Sequence, residues 1–160
     1  MELWYKEPAS YWEEALPLGN GRLGAMVWSG TKQEKISLNE DSLWSGYPQN
    51  HDIPGASEYY RQARRLAMEK KYEEAQALLE QNVLGKFTQS YLPLGELTLD
   101  MVHPEGEIQN YRRSLDLGKA LSRLQYSAGK VNYLREMFVS APDQVMVMHI
   151  SADRPGMVSL

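Results

Sequence analysis

The sequence predicts a mainly β protein, an antiparallel β-sandwich with an inserted helical hairpin. Three observations predict it. Glycine-punctuated apolar segments fill the first 50 residues, and a run at helical spacing occupies about 57–84. Beyond it, short alternating segments follow one another, separated by Gly and Pro turn signals at near-regular intervals.

The elements can be justified in order. In Gly21-Arg22-Leu23-Gly24-Ala25-Met26-Val27-Trp28 both alternating faces are largely apolar, as expected of a strand buried on two sides. Glu34 to Asn39 alternates, with Ile36 and Leu38 inward. Ser57 is a plausible N-cap for a stripe of Tyr59, Ala63, Leu66, Ala67 and Lys70. A second stripe of Tyr72, Ala75, Leu78, Leu79 and Val83 stops at Gly85, so a break near Lys70-Lys71 gives a helical hairpin. Strands are then expected at Leu97 to Met101, Tyr111 to Leu117, Ala120 to Tyr126, Val131 to Ser140 and Val145 to Ser151. Their separators, from Pro104-Glu105-Gly106 to Pro155-Gly156, are turn formers. Met157 to Leu160 resumes alternation, and the expectation is a strand cut at its start, in a sandwich truncated at its C-terminal side.

Composition narrows the function classes. The 160 residues make one domain or part of one, 42% of them hydrophobic, with ten tyrosines and four tryptophans to build a core. Charged residues make up 24%, which argues against intrinsic disorder. The net charge is −4 and no Lys/Arg run exceeds two, so a nucleic acid partner is not expected. The absence of cysteine removes disulfides, thiolate catalysis and Cys-ligated zinc. No stretch nears the roughly 20 apolar residues of a membrane span. The N-terminus carries acid where a secretory signal carries base, so the expected location is cytoplasmic.

Glycoside hydrolysis needs two carboxylates bracketing one bond, and Glu40-Asp41, beside Asn39 and near Trp44, is the best pair. Neighbours on a strand point to opposite faces, so the plainer reading is a turn in which Asp41 or Asn39 bonds local backbone. His51, His103 and His149 lie far apart without metal-ligand spacing, and no metal or cofactor is expected. His149 shares strand register with Val145 and Val147, which predicts a hydrogen-bonded core histidine. Gly19, Gly21 and Gly24 spell G-x-G-x-x-G, but a strand follows where a dinucleotide site needs a helix. Trp4, Trp12, Trp28 and Trp44 are expected to fill the core or a domain interface, with Trp44 the one placed to face something else.

Five blocks carry a family resemblance. Leu16-Pro17-Leu18-Gly19-Asn20-Gly21-Arg22-Leu23-Gly24-Ala25-Met26-Val27 is similar to the opening motif of glycoside hydrolase family 95. Leu38-Asn39-Glu40-Asp41-Ser42-Leu43-Trp44-Ser45-Gly46 resembles the next block, which usually has Thr for Ser42. Tyr91 to Leu97, Tyr111 to Leu117 and Arg135 to Asp143 resemble three more, in order along nearly the whole chain. The resemblance implies a supersandwich-like N-terminal domain of a multidomain α-L-fucosidase, or in some members an α-L-galactosidase. In that family the inverting, metal-free hydrolysis of terminal α-1,2-linked fucose occurs in a downstream (α/α)6 barrel, so no catalytic residue carries over. The implied partners are the barrel of the same polypeptide and, through the whole enzyme, a fucosylated oligosaccharide. Arg22, Asn39, Glu40, Asp41 and Trp44 are the candidates for a substrate-pocket or domain-interface edge. A stand-alone carbohydrate-binding module remains the alternative.

Overall fold

The computed structural model describes residues 1–85 and 89–160. They form two compact units, Met1–Leu43 with Leu92–Leu160, and Trp44–Tyr91.

The first unit is a β-sandwich of two antiparallel sheets. One contains β2 (Leu16–Gly19), β3 (Leu23–Val27), β4 (Gln33–Glu40) and β5 (Gly95–Asp100), in that spatial order. The other runs β1 (Glu2–Tyr5), β6 (Ile108–Asp116), β7 (Leu121–Ala128), β8 (Val131–Ser140) and β9 (Val145–Ala152). Leu16, Leu18, Ala25, Val27 and Ile36 from the first sheet pack with Leu115 and Met137 from the second. Each alternates with a more exposed neighbour, and period-two patterning of this kind is what lets one face of a strand enter the core. Ile36 is fully buried, and Leu38 packs half-buried against the same cluster. Towards the other end of the five-stranded sheet, Leu124, Tyr126, Ala128, Val131 and Tyr133 form a second cluster. A bulge between Gln109 and Arg112 places Asn110 at φ 55° and resets the register of β6, so that Arg113 and Leu115 are buried.

The second unit holds the helical hairpin, α1 (Ala56–Met68) and α2 (Tyr72–Asn82). The break falls at the two lysines, where Lys70 takes φ 64° and the Lys70 and Lys71 amides cap the carbonyls of Ala67 and Leu66. Helix α1 starts one residue before the expected cap. Gly55, in the left-handed region, precedes Ala56, and Ser57 sits inside the first turn.

One expectation fails for an identifiable reason. His149 is exposed, because β9 is the sheet's last strand and His149 lies on its outer face. Of the two places expected for the tryptophans, the core is not the one they take: Trp4, Trp12 and Trp44 are about half exposed, as expected for Trp44, and Trp28 is half-buried. Trp4 and Trp28 instead lie under cations, with the Arg112 guanidinium 4.7 Å and the Lys35 ammonium 4.2 Å from their rings.

Candidate functional site

The first two motif blocks meet the last at one end of the sandwich. Asn20 accepts hydrogen bonds from the Arg22 and Leu23 amides (3.0 and 2.8 Å), which shapes the turn into β3. Its amide nitrogen donates across to the Ser140 carbonyl at the end of β8 (2.8 Å). From that turn Arg22 donates to the Gln144 side chain (2.7 Å) and reaches Glu40 at 3.4 Å. The Glu40 carboxylate accepts from the amide and hydroxyl of Ser42 (2.9 and 2.6 Å), and those bonds chiefly hold it below the usual carboxylate range. The Asp41 amide donates to the Arg22 carbonyl (3.0 Å). Glu40 thus makes local turn bonds of the kind expected at this corner.

Asn39 lies on the opposite face of β4. It pairs with Gly24 and, with Trp12, Pro17, Met26, Pro93 and Glu96, lines an open, largely apolar groove of about 640 Å³ on the outer face of the four-stranded sheet. The alternation invoked for Glu40 and Asp41 does not govern that pair, because β4 ends at Glu40 and Asp41 lies in the turn beyond it. Trp44 belongs to the second unit, where it bridges to Tyr91 and meets its ring edge-on at 5.0 Å. Ser45 and Ser90 exchange bonds beside them, fixing the two ends of that unit together.

The strongest polar cluster was not anticipated. Glu34 and Arg135 are fully buried and form an ion pair between the sheets. Glu34 also accepts from the Ser29 and Lys35 amides (2.8 and 3.2 Å), and Arg135 donates to the Gly30 carbonyl (3.1 Å). Tyr111 ties the Ser29 carbonyl from β6 (2.7 Å). The Ser29-Gly30 turn is tight enough that a Cβ on Gly30 would fall 1.9 Å from the Gln33 carbonyl oxygen. Burial pushes Glu34 above its ordinary value, with Arg135 pulling against it. Nearby, His103 and the Tyr126 hydroxyl share a 2.7 Å hydrogen bond, and burial lowers the imidazole while raising Tyr126 to about 12. A third buried anchor is Arg113, whose guanidinium donates to the Glu7 and Glu14 carbonyls (2.7 and 2.6 Å) and stacks over Tyr5. Arg135 and Arg113 sit at inward positions of their strands, the one signal in sequence that their charges are internal.

Among the described residues, no three His, Asp or Glu side chains converge to hold a metal ion. The motif residues Asn20, Arg22, Glu40, Tyr111, Arg113 and Arg135 each fasten one segment to another, and that pattern matches a family whose blocks specify a fold. The family model "Glycosyl hydrolase family 65, N-terminal domain" matches residues 3–160. The chain belongs to that family of N-terminal domains.

Curated relatives agree in kind. "Alpha-L-fucosidase 2" of Arabidopsis thaliana is 38% identical over 161 residues, covering 99% of this chain and 19% of the relative. "Probable alpha-fucosidase A" of Aspergillus niger is 35% identical, over 94% of this chain and 20% of the relative. Its Aspergillus oryzae namesake is 30% identical, over 94% and 21%. The chain thus spans about a fifth of the length of the curated relatives it matches.

Proposed function

We propose that the chain is the non-catalytic N-terminal β domain of a multidomain α-L-fucosidase of glycoside hydrolase family 95, packing on and supporting a catalytic (α/α)6 barrel. In this reading the barrel carries out the inverting hydrolysis of terminal α-1,2-linked L-fucose, and the chain alone is inactive. One observation carries it: carboxylates in and between the motif blocks hold the domain together. Glu34 is buried in an ion pair, and Glu40 is bound to Ser42 and Arg22. Asp116 accepts from the Gly118 and Lys119 amides, and Asp143 from the Ser140 hydroxyl. Inverting hydrolysis needs two carboxyl groups about 6.5–9.5 Å apart across a bound sugar, free to move protons, and carboxylates held this way are poorly suited to it.

The role assigned to Arg22, Asn39, Glu40, Asp41 and Trp44 is to form edges facing the barrel or its sugar pocket. Glu40→Gln and Trp44→Ala in the longer enzyme test this. A lower melting temperature or a changed kcat/KM for fucose release supports it; unchanged stability together with unchanged kinetics refutes it. The exposed Trp44–Tyr91 pair favours one second reading, a sugar-binding surface, since indole and phenol faces stack on sugar C–H faces.

A further inference from the structure

The edge of β5 away from β4 carries no strand among the described residues. β5 is the last strand of its sheet, and among the described residues its only ladder is with β4. The ladder continues one step beyond β5, where the Met101 amide donates to the Lys32 carbonyl (2.7 Å). Strand amides alternate in direction. The amides of Leu97, Leu99 and Met101 therefore point at β4, and those of Glu96, Thr98, Asp100 and Val102 point away from it. The last of these is already engaged: the Val102 amide donates to the Ser159 carbonyl at 3.1 Å.

The direction of that segment follows from a second bond. Tyr133, whose ring packs 4.9 Å from His103, donates its hydroxyl to the Met157 carbonyl (2.9 Å). Residues 157–159 thus run from the neighbourhood of His103 to Val102, antiparallel to β5. Carrying the Val102–Ser159 pairing onward sets Leu160 against Met101, and positions 161, 163 and 165 against Asp100, Thr98 and Glu96. Leu97 and Leu99 of β5 are on the core-facing side, since their partners Ile36 and Glu34 are buried, and Met101 just beyond the strand is buried on the same side. Leu160 falls on that same side, is apolar, and is 67% exposed, while Leu97 opposite Ile36 is still 36% exposed. An exposed strand edge bordered by uncovered apolar side chains is a site for strand addition.

We propose that the occupant of this edge is the chain's own continuation: residues following Leu160 in the longer polypeptide extend antiparallel along β5, with positions 162 and 164 apolar and facing the core. This rests on the reading that the chain is part of a polypeptide the length of its relatives, of which it spans about a fifth.

Backbone hydrogen exchange tests it without any activity measurement. The chain is compared with the polypeptide extended by its native residues 161–170. In the extended form, exchange at Glu96, Thr98 and Asp100 is expected to slow by at least about 100-fold, while Leu97 and Leu99, already bonded to β4, change little. Thr98→Pro, which removes only an edge-facing donor, is expected to abolish that gain and leave the β4 ladder protected. Unchanged exchange at the three amides on extension overturns the proposal. So does protection that grows with the concentration of the 160-residue chain, since the occupant would then be a second copy. Loss of the fucosidase reading would leave these exchange rates unaffected, so the two can fail separately.

Discussion

Replacing Arg135 by Met should be strongly destabilising, and its cost should depend on pH. The guanidinium is 2% exposed and its partner Glu34 is 0% exposed. Removing one member of such a pair strands the other charge, at a cost of about 3–5 kcal/mol. Against a domain stability of about 5–15 kcal/mol this is a large share. At roughly 2–4 °C per kcal/mol for a chain of this size, the melting temperature should fall by roughly 6–20 °C. Glu34 supplies the pH dependence. Burial already raises its folded-state pKa above 4.5, and Arg135 is the largest influence pulling it down. A raised carboxyl contributes stability that is present below the unfolded pKa and lost as pH rises through the folded one. Without Arg135 the folded value climbs further, so Arg135→Met should cost least near pH 4.5 and progressively more toward pH 8. Glu34→Gln combined with Arg135→Met should recover most of the loss. Gln keeps an oxygen for the Ser29 and Lys35 amides, and no unpaired charge remains. Urea unfolding followed by tryptophan fluorescence at pH 5 and pH 8 reads the wild type, the two single variants and the double variant. Equal losses at both pH values, or a double variant as unstable as the sum of the singles, would refute the account of this pair.

Three further outcomes follow from the same geometry. Arg113→Ala removes two bonds to backbone carbonyls and the stack on Tyr5, and should release the first 15 residues to early proteolysis at a cost of about 2–4 kcal/mol. Asn20→Ala breaks bonds to two local amides and to Ser140 and should cost about 1–3 kcal/mol in urea unfolding, whereas Asn20→Asp retains the two local bonds and should cost less. Gly30→Ala, whose Cβ would overlap the Gln33 carbonyl, should prevent soluble expression; a normal melting temperature would show that the Ser29–Gln33 turn relaxes freely.

The sandwich was legible in the sequence because its core follows period two. Ile36 and Leu38 in β4, and the alternation through β7 and β8, announce by spacing alone which face is buried. The helical hairpin was legible from its stripes and from the two lysines at its break. Glu34 and Arg135 were not, because each looks like a surface charge until its partner is known, and that partner is 101 residues away. The same holds for Asn20 and Ser140, 120 residues apart. At the candidate site the expected turn after the strand is present, with β4 ending at Glu40 and Asp41 beyond it, so strand alternation does not decide how that pair points. It could not show that Glu40 would turn back on Ser42 and Arg22, since that depends on how the turn into β3 meets the one after β4. His149 misled because edge strands carry the same alternation as central ones while burying less.

The most direct test of the central claim is fucose release from a 2′-fucosylated oligosaccharide, measured side by side for the 160-residue chain and the longer polypeptide that contains it. The account predicts release by the longer protein only. Release by the 160-residue chain itself would contradict it and return Glu40 and Asp41 to consideration as a catalytic pair.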